Sequence, residues 1–223
     1  MFVSHFLGLE LTASDGVAGE VRDVYFDHAI WTVNYLRLET GEGLSRQDVL
    51  LPTAMVTWDA ATRSLVTDAT VDEIERSPDV NGDPLVSREA ELLLGKYWQW
   101  TPSWTRELTD EMAANIESEA TESTKRSMEA LTRSHLRSAV EVRGYRIAAT
   151  DKVLGDVEDF VINDCNWEIE GIVVDTRRWL PGRHVLIERR YLGTISWAGK
   201  TIAVDLPSGD IKQAEAPGMH ERK

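Results

Sequence analysis

Five aspartates, Asp23, Asp27, Asp159, Asp164 and Asp175, fall within or at the ends of short apolar runs. Carboxylates do general acid/base work or pass protons when one cleft holds several and drives their pKa values apart. That chemistry needs a nucleophile or an orienting base nearby, and the surrounding sequence supplies neither. Asx side chains also satisfy turn amides, so turn and strand-end roles explain these residues more simply.

The other chemistry-bearing residues are sparse. His5, His28, His135, His184 and His220 share no ligand-like spacing, and Cys165 is the one cysteine, so neither a metal centre nor an internal disulfide is expected. Cys165 sits in a polar turn without a local His or Lys to depress its pKa. No Gly-rich phosphate loop, nucleophile elbow or dinucleotide fingerprint occurs. The expectation is a protein that is not an enzyme, with no catalytic residue and no cofactor.

Binding is the better-supplied chemistry. Arg177, Arg178, Arg183, His184, Arg189 and Arg190 form the one basic concentration in a chain of net charge −14. Read as structure, they are a solvated rim balanced by Glu168, Glu170 and Glu188, which is the favoured reading. Read as function, Arg177, Arg178 and Arg183 dock an acidic partner or the acidic first half of another copy. Trp98, Trp100 and Trp104 are either an interaction hot spot or the packing of a linker against its neighbours, and both readings stand. The acidic balance argues against nucleic acid and against a bare anionic membrane surface.

These residues are carried by elements that occur twice. At a constant offset of 136, Gly19 aligns with Gly155, Val21 with Val157, Asp23 with Asp159, Trp31 with Trp167, Thr40 with Thr176, Leu44 with Leu180 and Val49 with Val185. One register held over more than thirty residues points to a duplication. Inside each copy the apolar residues follow strand period, with turns at Asp27 to Ile30 and Asn163 to Asn166, each followed by a tryptophan that closes one end of a core. Thr57 to Asp68 and Ile195 to Leu206 each read as strand, turn, strand. Thr70-Val71-Asp72-Glu73 is a capping box that starts a short helix, with a weaker counterpart at Asp210 to Ala214. The charges differ: five basic against thirteen acidic residues over 1–78, but twelve against fourteen over 141–223.

Between the copies, Ser87 to Tyr97 reads as an amphipathic helix, and Met112, Ile116 and Ala120 recur at helical spacing. The expected organisation is a mainly β chain: a first barrel over 1–80, a helical, Trp-rich linker over 81–137, a second barrel over 138–216 and a tail over 217–223. No apolar run reaches the roughly 18 residues of a spanning helix, and the opening MFVSHFLGLELTAS lacks a basic n-region before an apolar core. A cytoplasmic location is the expectation, with peripheral membrane association open.

Ser134 to Ser138, Glu141-Val142, Gly144-Tyr145, Thr150-Asp151, Leu154-Gly155, Val157 to Phe160, Val174 to Arg177 and Trp179 to Gly182 resemble the PRC-barrel family, named for the cytoplasmic domain of the photosynthetic reaction centre H subunit. The resemblance implies two six-stranded PRC-type β-barrels and a non-enzymatic scaffold that binds protein partners and self-associates as a homo-oligomer. Its alternative implication is an accessory of photosynthetic or membrane electron transport at the cytoplasmic face. By analogy with the H subunit, Asp159 and Asp164 are the candidate proton-relay residues.

Overall fold

The computed structural model describes residues 1–41, 46–78, 86–102, 135–176 and 184–211. The chain is mainly β. The first sheet is built from β1 (Glu10–Thr12), β2 (Val17–Asp27), β3 (Thr32–Thr40), β4 (Gln47–Pro52), β5 (Thr57–Asp59) and β6 (Ser64–Val66) in the order β4-β3-β2-β1-β6-β5, and β7 (Leu136–Ser138) pairs with β2. The second is built from β8 (Arg146–Ala148), β9 (Val153–Ile162), β10 (Ile169–Asp175), β11 (His184–Glu188), β12 (Leu192–Ser196) and β13 (Thr201–Val204) in the order β11-β10-β9-β8-β13-β12. The six-strand order is thus the same in both. Among the described residues no ladder joins the two ends of either sheet.

The long strands of both sheets carry bulges, between Val21 and Asp23 in β2 and between Val173 and Val174 in β10, and such bulges bend a strand and strengthen its twist. Glycine allows the resulting close approach. A Cβ on Gly19 would lie 2.4 Å from the Glu39 carbonyl oxygen, and one on Gly155 would lie 2.0 Å from that of Asp175. These are the same two positions, 136 residues apart.

The helices are short. The capping box at Thr70 forms in full and starts α1 (Val71–Glu75), while Ser87 caps α2 (Arg88–Trp98) by accepting from Ala90 N–H. Beyond these lie α3 (Ala139–Val142) and α4 (Ser208–Ile211). Asp15 accepts from the Val71 amide and Asp151 from the Ser208 amide, so each sheet tethers its own trailing helix with an aspartate 136 residues from its fellow.

Two features were not anticipated. Residues 136–138, of which 136 and 137 were expected in the linker and 138 in the second barrel, are a strand of the first sheet, because the backbone of β2 from Tyr25 to Asp27 has an open edge that β7 satisfies. The apolar cores of the two sheets are also one body: Val3, Phe6, Val24 and Phe26 pack in the same cluster as Val142, Phe160, Ile162 and Ile172. Where two separate cores were expected, Phe26 meets Phe160 with ring centroids 5.3 Å apart.

Candidate functional site at the join between the sheets

The two sheets meet through segments that cross from one to the other. Phe2 bridges to Val161 of β9, while Ser138 pairs with Tyr25 of β2. Buried carboxylates fix both crossings. Asp159 Oδ1 accepts from the amides of Phe160 at 2.9 Å and Ser4 at 3.1 Å. Asp23 Oδ1 accepts from Val24 at 2.7 Å and Val140 at 3.2 Å, and its Oδ2 accepts from Ser138 Oγ at 2.5 Å. Asp23 is 4% exposed and Asp159 2%. Burial pushes the Asp23 carboxyl up, against the Ser138, Val140 and Val24 hydrogen bonds that draw it down.

The turns behave in the same paired way. Asp27 Oδ1 accepts from Ala29 N–H and Asn163 Oδ1 from Cys165 N–H, both Asx turns as the sequence implied. Trp31 and Trp167 follow them with φ of +54° and +61°, a left-handed backbone uncommon for a bulky residue. The conformation turns each ring inward and leaves the carbonyl pointing across the join. Trp167 O accepts from Val33 N–H at 2.9 Å, and Trp31 O accepts from Ile169 N–H at 2.8 Å.

Asp23 and Asp159 therefore lie in mid-strand, holding crossed segments, and not at turns. Asp164, at a half-exposed turn, has Cys165 Sγ 3.8 Å from its Oδ1, and no hydrogen bond links Asp159 to Asp164. Asp175 pairs with His184 and with Asp156 across the second sheet. Trp98 donates from Nε1 to Ser77 Oγ at 3.2 Å, and Trp100 packs edge-on to Tyr35 with centroids 5.3 Å apart. Both are half-buried, and with Leu94 they cover the outer face of the first sheet at Tyr25, Tyr35 and Leu50. Arg177, Arg178, Arg183 and Trp104 lie outside the described residues. Of the remaining basic side chains, His184 Nε2 sits 2.7 Å from Glu158 Oε2, and Arg190 pairs with Glu188 at 3.1 Å and lies over the Tyr191 ring.

One cluster escaped the sequence reading. At the join, the His28 ring lies edge-on to His135, with centroids 5.2 Å apart, and to Trp197, 5.1 Å apart. Arg137 stacks over Trp197 at 4.1 Å, and Tyr145 leans on the same ring while donating to Glu141 Oε1 at 2.9 Å. His28 Nδ1 is 2.7 Å from the His135 carbonyl oxygen, which can only accept, so Nδ1 carries the proton and Nε2 is the acceptor of the neutral ring. Burial pushes His28 down from 6.5, and the charges of Arg137 and His135 add to that. Burial and the Glu141 contact push the Tyr145 hydroxyl up to about 12.

The signal for this cluster lay in positions where the two aligned segments differ. At the constant offset, His28 stands against Asp164, Arg137 against Met1 and Tyr145 against Leu9. The arrangement offers an aromatic and cationic surface, with a neutral histidine at its centre. Among the described residues no three His, Cys, Asp or Glu side chains are grouped to hold a metal, and no helix is long and apolar enough to cross a membrane. Comparison with protein-family models finds no match to this chain, and a search of curated proteins finds none.

Proposed function

We propose that this chain is a tandem PRC-type barrel protein, arisen by duplication, that works as a non-enzymatic scaffold for protein partners. The observation that carries the reading is the shared strand order of the two sheets, with equivalent residues 136 apart in sequence. On this reading each sheet is one six-stranded barrel of that kind, although among the described residues no ladder joins its two ends. The buried carboxylates favour a structural protein over an enzyme, since their oxygens are spent on backbone amides of crossing segments. What differs between the halves then carries specificity: the acidic surface of the first, the arginines of the second, and the His28, Arg137 and Trp197 cluster.

The test is affinity capture from the native cell with the intact chain and with Arg177→Glu/Arg178→Glu and Arg137→Ala variants. Loss of a captured protein in either variant, with the fold intact by circular dichroism, is the expected result. An unchanged set of captured proteins for both would overturn it.

A further inference from the structure

Each crossing between the sheets has a partner crossing 136 residues away. Ser4 N–H on Asp159 matches Val140 N–H on Asp23, the Phe2 bridge to Val161 matches the Ser138 pairing with Tyr25, and the two tryptophan carbonyls trade amides. Neither half is complete alone, since the edge of β2 is satisfied by β7 and that of β9 by Phe2. What the halves form is the interface of a two-fold dimer, closed within one chain.

We propose that this join also forms between two copies of the chain. Residues 1–78 of one copy then seat against residues 135–211 of the other, and the reverse, so that both joins of the pair are intact and two-fold related. Every hydrogen bond and buried ring of the monomer recurs in the dimer, so the balance is set by the covalent tether alone. A tether holds its two ends at an effective concentration on the order of millimolar. The closed monomer is therefore favoured in dilute solution, and the exchanged dimer forms when chains fold together at concentrations approaching that value. This mode of self-association is separate from any partner the scaffold binds.

Thr32 and Glu168 bridge directly across the join and report on it. In a Cys165→Ser background, Thr32→Cys and Glu168→Cys chains are mixed, refolded from denaturant at dilute and at high concentration, and oxidised. The chain carrying both substitutions is the control for geometry. The expected result is an intrachain disulfide in the control and a Thr32→Cys to Glu168→Cys interchain disulfide in the mixture refolded at high concentration only, on particles of dimer mass by light scattering. Monomers at every concentration overturn the proposal. So do dimers without that disulfide while the control closes its own, which would place self-association elsewhere, and a control that cannot close.

Discussion

At the residue scale the two buried aspartates are the clearest economy of the fold. Each carboxylate satisfies amides from two separate segments in a place water does not reach. Asp23→Ala should therefore destabilise by about 2–4 kcal/mol in urea titrations, because the Val140 amide and Ser138 hydroxyl are left buried without an acceptor. Asp159→Ala should lose comparably. Titration gives a second, opposed pair of expectations. The Asp23 pKa is raised by burial, so its contribution to stability is full below 3.8 and falls as pH rises through the higher folded value. Wild type compared with Asp23→Asn should lose relative stability over that window. His28 runs the other way: its folded pKa is lowered, so its contribution is present above 6.5 and is lost as pH falls below it. His135 and Arg137 strengthen this effect, Asp27 and the His135 carbonyl oppose it, and His28→Gln should flatten the acid limb of a stability-against-pH curve.

At the element scale, local signals were faithful where bonding is local. The capping box at Thr70, the helix from Ser87, the turns and the strand periods all lie within a few residues of their causes and were legible. The left-handed backbone of Trp31 and Trp167 was not, since tryptophan carries no preference for it and the reward is a hydrogen bond to the opposite sheet. Nor was β7, whose pairing with β2 spans more than a hundred residues. The repeated Gly19 and Gly155 were visible as letters, but only the sheet geometry gives the reason, a carbonyl oxygen where a Cβ would sit. Gly155→Ala should cost several kcal/mol or block folding, since the clash is with backbone that cannot swing aside. Trp98→Ala should cost about 2–3 kcal/mol and loosen α2, read as faster amide exchange over 88–98, because the half-buried ring packs against both apolar clusters.

At the scale of the whole molecule, the two halves are better regarded as partners than as beads on a string. A protease site placed within residues 103–134 and cut in the folded protein should leave both pieces co-eluting as one particle in gel filtration, with a single unfolding transition. Separation of the pieces without denaturant would mean that the crossings contribute little. The repeated spacing pointed to two similar halves, and the two sheets share a six-strand order, while the division of labour between tether and interface lay in contacts that no stretch of a few dozen residues contains.

The seating of Ser4 on Asp159 has a consequence in time. These residues are 155 apart, so during synthesis at about 5–20 residues per second the leading segment leaves the ribosome on the order of ten seconds before its carboxylate exists. Throughout that wait Phe6 lacks the Trp167 ring, which packs on it with centroids 5.4 Å apart in the finished fold. The second sheet thus decides when the segment carrying Ser4 and Phe6 comes to rest.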